Sequence, residues 1–506
     1  MSAKEKKDNS VYVISMVIML LAVGWGFLSP ASFGAAANNL FNFLIQNFGW
    51  GYMLFMSFFV IFPIGLAVSK YGKLKLGPAD SKPEFRDISW FAMLFSAGMG
   101  VGLVFYGVGE PLFHFLNPPF GAEPGSVKAA TDAMRISFFH WGLHPWAGYT
   151  VIALPLAYFQ FRKNGSGLIS TLFTPLLGEE GVRGPIGKAI DILAIFATAA
   201  GIATSLGLGT LQINSGLKYL FGVPQTVTVQ FMIIFVLCLI YTVSAISGLE
   251  KGIKAISDLN LFLATLLCVA LFLLGPTISI LDSLLTGIGE YLSNLVSESL
   301  TLAPYGGPFK KWLGSWTLFY WAWWIAWAPF VGSFIARISR GRTVRQFVTC
   351  VLIVPALGSF TWFAVFGTSG LYLQLNGIAD IASKVSADIS TGVFEMYMHY
   401  PLGMAMSVVM VVLISTFFIT SANSATFVLS MYSTQGDLNP PKSKMAIWGV
   451  LQAALAFVLL MSGGLQALQI ASIAAAAPFA VIMALACYSL MKALKSDEEV
   501  SREINN

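Results

Sequence analysis

Trp316-Thr317-Leu318-Phe319-Tyr320-Trp321-Ala322-Trp323-Trp324-Ile325-Ala326-Trp327 sets five tryptophans and a tyrosine in an apolar segment long enough to span a bilayer. Tryptophans that anchor a span in lipid gather at its ends, at headgroup level; these run into its middle. At about 100° per residue, Trp316, Tyr320, Trp323, Trp324 and Trp327 share one helix face, and only Trp321 turns away. Such a stripe is ordinarily a packing surface. A second aromatic cluster elsewhere in the chain shifts the balance toward binding.

The chain has 506 residues, 56% hydrophobic and only 10% charged, where a soluble domain carries about 25% charge. That composition implies an all-α polytopic membrane protein. Apolar runs of spanning length lie near 11–30, 49–70, 89–116, 134–161, 187–217, 226–247, 256–281, 314–337, 344–368, 401–432, 444–463 and 466–492, which predicts twelve transmembrane helices. With the N-terminus inside, all of the 29 Lys and Arg except Lys128, Arg135, Lys218, Lys310, Lys311 and Lys384 fall on inner segments. This bias places both termini in the cytoplasm, and it accounts for the net charge of +5 without a nucleic-acid partner. Cys238, Cys268, Cys350 and Cys487 sit in apolar runs without CxxC or nearby His, and read as buried hydrophobes. The first run lacks a cleavage site and is kept as a helix. Residues 283–300 are amphipathic and read as a helix on the outer surface. No Ser/His/Asp set, HExxH or paired intramembrane carboxylates suggest an enzyme, and no charged ring suggests a channel.

The third run contains Phe95-Ser96-Ala97-Gly98-Met99-Gly100-Val101-Gly102-Leu103. Glycine weakens a helix by up to ~1 kcal/mol per residue relative to Ala. Two readings stay open: small residues that let helices approach closely, or an unwound stretch whose backbone groups line a polar cavity, as in many transporters. The fourth run contains Phe138-Phe139-His140-Trp141-Gly142-Leu143-His144-Pro145-Trp146-Ala147-Gly148-Tyr149. Trp141, Trp146 and Tyr149 can surround a small object if the helix turns at Gly142 or Pro145. Aromatic faces attract a quaternary ammonium, which has no hydrogen-bond donor, at ~0.5–2 kcal/mol per contact. A primary amine would want an acidic partner, and the middles of these three spans hold none, so a methylated ammonium is the expected ligand. His140 and His144 read as structural rather than as proton carriers. The tenth run carries Ser415-Thr416-Phe417-Phe418-Ile419-Thr420-Ser421-Ala422-Asn423-Ser424. Its hydroxyls either bond to the preceding turn or offer uncharged oxygen ligands suited to Na⁺.

Together, Gly98-Met99-Gly100-Val101-Gly102-Leu103, Trp141 through Tyr149, Phe319-Tyr320-Trp321-Ala322-Trp323-Trp324 and Ala336-Arg337-Ile338-Ser339-Arg340-Gly341-Arg342-Thr343 resemble the betaine/choline/carnitine transporter family over nearly the whole chain. The likeness is closest to its bacterial sodium-coupled glycine betaine importers. It implies a LeuT-like core of two inverted five-helix repeats plus two N-terminal helices. Residues 1–86 would hold the tail and two peripheral spans, 87–282 the first repeat, 283–312 the outer amphipathic helix and loop, 313–492 the second repeat, and 493–506 a short cytoplasmic tail. A homotrimer is implied too, with the outer helix among its contacts. The family's aromatic box maps onto Trp141, Trp146, Tyr149 and Trp324, with Trp323 and Trp327 nearby on the pathway. The substrate carboxylate would lie toward Ala97, Gly98, Met99, Gly100 and Gly102. One sodium site maps onto the carbonyls of Ser96, Met99 and Phe417 and the hydroxyls of Thr420 and Ser421.

The chain departs from the family pattern in three places. Proton-coupled choline carriers of the family have Asp where this chain has Gly102, which argues for a zwitterionic substrate. A second sodium site uses two threonines in span 5; Thr198 matches one, Ile202 replaces the other, and Phe330 matches its aromatic member. Lys254 lies close to where sodium-independent carnitine exchangers carry an Arg in place of the ion. The resemblance therefore implies Na⁺-driven import of a quaternary-ammonium zwitterion, glycine betaine foremost, into a bacterium across its cytoplasmic membrane. No cofactor beyond the coupling ion is implied. Sodium-independent exchange of carnitine or betaine, and proton-coupled choline transport, are the alternatives.

Overall fold

A computed structural model of the chain describes residues 8–98, 100–247 and 250–497, the side chains of Ala97 and of residues 250–253 excepted. Met99, singled out above, and Lys4, Lys6, Lys7 and Arg502, which belong to the inner cations counted above, lie outside the described residues. Every regular element among those described is helical, and one isolated antiparallel bridge joins Lys75 to Thr343. In a bilayer this is the expected outcome, because a helix satisfies its backbone polar groups internally.

Nine of the described helices are long and apolar enough to cross a membrane, and the bent pair Asp87–Ser96 with Val101–Leu116 makes ten. Lys442–Ser496, with 55 residues, would measure about 80 Å as one rod, over twice a hydrocarbon core of about 30 Å. Its backbone leaves helical geometry at Gly463 and Gly464 (φ 59°), where it divides in two. The pair Val127–Trp141 and Leu143–Lys163, interrupted at Gly142, carries Lys128, Asp132 and Arg135 in its first helix. A count of twelve needs both of these additions to the hydropathy count.

Local chemistry sets the helix ends. Thr343 and Gln346 form a reciprocal capping box that starts Val344–Leu375. Ser126 accepts the Ala129 N–H to start Val127–Trp141. Gly222 ends Pro185–Phe221 in the left-handed conformation, φ 70°.

Burial is graded from edge to centre. Ser10–Leu28 buries only Ser15, Met19 and Gly26, and shows Leu20, Leu21 and Leu28 outward. Thr317–Arg337 is buried at nearly every position. It packs against Leu143–Lys163, Pro185–Phe221 and Lys442–Ser496, and Gly403–Tyr432 packs on Pro185–Phe221 from another side. The surface helix begins at Thr277, earlier than the amphipathic pattern suggests, and ends at Ser299. Its Glu298 meets Arg135 at 2.8 Å, while Leu285, Leu292 and Val296 remain exposed.

At the opposite, inner end by the charge rule, the segment Ser339-Arg340-Gly341-Arg342 locks onto residues 74–87. Backbone bonds of 2.8 Å run from Leu76 to Arg342, from Gly341 to Leu76 and from Val344 to Leu74. Gly341 has φ +80°, and a Cβ there would lie 2.2 Å from the Lys82 carbonyl oxygen, so no other residue fits. The Arg342 guanidinium donates to Asp87 and to the Phe85 carbonyl, and lies 4.4 Å from the Trp90 ring centroid. Lysine cannot reproduce a planar fork that binds and stacks at once. Arg342→Lys is expected to cost about 1–2 kcal/mol, read as a lower melting temperature of the detergent-solubilised protein; an unchanged transition contradicts this role.

Candidate functional site

Two helix breaks meet the aromatic helix. The first separates Asp87–Gly98 from Val101–Leu116. The two arms bend by 68°, and Gly100 between them is extended (φ −147°, ψ −152°). The first N–H groups of Val101–Leu116 therefore have no carbonyl partner within that helix. The second break is at Gly142 (φ −88°, ψ −128°), where the Tyr291 hydroxyl of the surface helix accepts the Leu143 N–H at 3.0 Å.

The close-approach reading of the glycine stretch holds at Gly98 and Gly102, and the backbone is unwound at Gly100. A Cβ on Gly98 would lie 2.3 Å from Cη2 of Trp146, and one on Gly102 would lie 2.4 Å from Cη2 of Trp323 and 3.2 Å from Cη2 of Trp141. Those two glycines let a helix approach indole rings. Gly100 is the unwound residue, and its nearest neighbour is Oγ of Ser421, 3.7 Å from a built Cβ.

Trp141, Trp146, Tyr149, Trp323 and Trp324 are each exposed by 3% or less. Trp141 meets Trp324 edge to face, with centroids 4.9 Å apart at 73°, and Tyr149 meets Trp324 at 6.4 Å and 86°. Trp146 joins through Tyr149, at 5.5 Å and 87°. Trp323 stacks on Trp324 at 4.9 Å and 17°. The indole N–H groups of Trp323 and Trp327 donate to the Gly201 carbonyl at 3.3 and 2.9 Å, which ties the stripe to Pro185–Phe221. Trp321, off the stripe, stacks on His144 at 4.6 Å.

Sequence reasoning found no acid near these rings, and the structure corrects that. Glu110, fully buried, accepts the Trp141 indole N–H at 3.1 Å and the Tyr320 hydroxyl at 2.5 Å, and its other oxygen lies 2.6 Å from Nδ1 of His140. His140 also reaches Thr317 Oγ1 at 3.0 Å, and its carbonyl accepts the Trp324 indole N–H at 3.1 Å. His114 has Nε2 3.6 Å from Glu110 and accepts the Trp312 indole N–H on Nδ1. Glu110, His114 and His140 come within metal-ligand range of one another; most of their polar atoms are engaged with each other and with Thr317, Tyr320 and three indoles, while His114 Nε2 has no hydrogen-bond partner among the described residues. The sequence signal was there: Glu110 is the lone acid in an otherwise apolar and histidine-bearing helix.

At the tenth run, the Thr420 hydroxyl bonds back to the carbonyls of Thr416 and Phe417 at 3.1 and 3.2 Å, and accepts Nδ2 of Asn260 at 3.1 Å. Ser421 faces Gly100. Ser96, one turn before the break, is exposed. Asn260 was missed in sequence; it is the one amide in the apolar stretch Leu259–Leu267. Lys254, on the same helix, is exposed.

A family model described as "BCCT, betaine/carnitine/choline family transporter" matches residues 10–499. The chain belongs to the betaine/carnitine/choline transporter family. It is 49% identical over 97% of its length to the glycine betaine transporter OpuD of Bacillus subtilis, covering 95% of that protein. Identity to a probable glycine betaine transporter of Desulfitobacterium hafniense is 46%, over 97% of this chain and 99% of that one. An ectoine/hydroxyectoine transporter of Virgibacillus pantothenticus shares 44% identity over 99% of both chains.

The protein is thus a multi-pass membrane transporter, not an enzyme. In this transporter Thr198 is buried with no hydrogen-bond partner for its hydroxyl among the described residues, Ile202 is fully buried beside it, and Phe330 lies against Trp327 at 5.7 Å. Gly102→Ala should push Trp323 out of place, an overpacking cost of about 1–3 kcal/mol. The expected outcome is a half-saturation concentration raised about tenfold or more at equal membrane abundance. Gly65→Ala, with nothing within 4 Å of the new methyl, is the control; equal behaviour of the two variants contradicts the packing role.

Proposed function

We propose that this transporter imports a small quaternary-ammonium zwitterion, glycine betaine foremost, by Na⁺ symport. The observation that carries the reading is the buried contact of Trp141, Tyr149 and Trp324, drawn from three helical segments and set beside two backbone breaks. The rings now cover one another. Parting an edge-to-face pair costs about 0.5–1.5 kcal/mol, and a methylated cation between them gains about 0.5–2 kcal/mol at each face. Two such contacts, together about 1–4 kcal/mol, offset the parting of the ring pairs. The substrate carboxylate would turn to the free N–H groups near Gly98, Gly100 and Gly102.

Na⁺ would sit between the unwound stretch and the tenth span, on carbonyls of Ser96, Met99 and Phe417 and the hydroxyls of Thr420 and Ser421. The approach of Ser421 to Gly100 supports this. Twelve spans in two inverted repeats, rocking one bundle against the other, would alternate access. The exposed Leu285, Leu292 and Val296 of the surface helix suit a homotrimer contact, and the charge distribution suits a bacterial cytoplasmic membrane with both termini inside. The 44% identity to an ectoine/hydroxyectoine transporter favours a second reading, in which the zwitterion is of that cyclic type.

Replacing Na⁺ by K⁺ in a proteoliposome uptake assay should abolish accumulation of glycine betaine; undiminished uptake overturns the symport reading. Binding of glycine betaine against ectoine in the same vesicles separates the two substrates. Trp324→Leu should raise the half-saturation concentration at least tenfold with expression intact, since it deletes a contact worth about 0.5–2 kcal/mol and the ring that orders its neighbours. Thr420→Ala should raise the Na⁺ concentration needed for half-maximal uptake more than it lowers uptake at saturating Na⁺; parallel losses speak against a ligand role.

A further inference from the structure

The chemistry of the Glu110 cluster goes beyond packing. A carboxylate at zero exposure takes two donors on one oxygen, the Trp141 indole N–H and the Tyr320 hydroxyl, and meets His140 on the other. The same His140 gives its carbonyl to the Trp324 indole N–H. Both members of the 4.9 Å ring pair are thereby tied to one Glu–His unit. His140 is itself fixed by Thr317, in the first turn of the helix that carries Trp324.

We propose that Glu110 is the counter-ion of the aromatic site, acting through the Trp141 indole as a positioning residue. Its carboxylate touches the N–H edge of that ring. An indole whose N–H donates to an anion carries more negative charge on its π face, and cation–π attraction rises with that charge. The same bond fixes the ring's rotation. Because Trp141, Tyr320 and His140 engage the acid's oxygens, a ligand with N–H donors gains no acceptor there. A methylated onium needs none and still feels the anion across the ring, in surroundings where charge is weakly screened. Selection against primary amines follows from the same arrangement.

This inference rests on the proposed onium reading, and the test separates the two. In proteoliposomes, displacement of radiolabelled glycine betaine is measured with unlabelled glycine betaine and with 3,3-dimethylbutanoate, which has the same shape and carboxylate but a neutral carbon in place of the ammonium nitrogen. If wild type binds no glycine betaine, the proposed function fails before any variant is read. If it binds, Glu110→Gln should weaken glycine betaine about tenfold and the neutral isostere less than about twofold. Equal weakening of both compounds, or no change in either, overturns the proposal. Should Glu110→Gln accumulate poorly, Trp141→Phe, which keeps a ring and deletes the N–H, is read the same way: preference for the cation should fall, and an unchanged preference overturns the proposal.

Discussion

At Gly98 and Gly102 the missing Cβ atoms leave room for the six-membered rings of Trp146 and Trp323, and the rest of the centre is arranged around that close approach. A helix bearing any side chain at those two positions would stand off from the indoles and open a gap that neither lipid nor water fills well. With glycine there, the bent third span lies directly against rings supplied by the fourth and eighth. The polar backbone at the bend is then enclosed by protein, one of the two circumstances in which non-helical backbone is tolerated at membrane depth.

Enclosure also explains the polar network behind the rings. Indole N–H groups buried away from water are driven to find acceptors, and four of the central tryptophans do so. Trp141 uses Glu110, Trp324 uses the His140 carbonyl, and Trp323 and Trp327 share the Gly201 carbonyl. Each bond fixes a ring's rotation, so the positions of the π faces follow from where the acceptors stand. Trp321, turned away from the stripe, has no acceptor among the described residues, and it stacks on His144 instead. The contrast separates rings held at set angles from one held by packing.

The surface helix enters this arrangement through Tyr291, whose hydroxyl occupies the Gly142 break, and through Ser299, 3.0 Å from His144. Trp141 lies on one side of that break, and Trp146 and Tyr149 on the other. The angle between the two halves, and with it the spacing of three aromatic residues, is therefore set partly by an element outside the core.

Much of this was legible in the chain. Hydropathy and the Lys/Arg asymmetry implied a polytopic helical protein, because apolar length and charge placement are read by the bilayer one segment at a time. The glycine run, the tryptophan stripe and Gly142 marked the breaks and the aromatic residues, since backbone freedom and ring chemistry are local properties. Other features depend on distance between segments far apart in sequence. Nothing local said that Glu110 would meet Trp141 and Tyr320, that Asn260 would reach Thr420, or that Gly98 faces Trp146 while Gly100 faces Ser421. The boundary between the runs 444–463 and 466–492 was legible in the sequence, and the non-helical backbone at Gly463 and Gly464 falls there. The sequence by itself determined which residues could bend, stack or bond; tertiary structure alone decided their partners, because in a packed membrane core a donor's partner is whatever acceptor the neighbouring helix brings within reach.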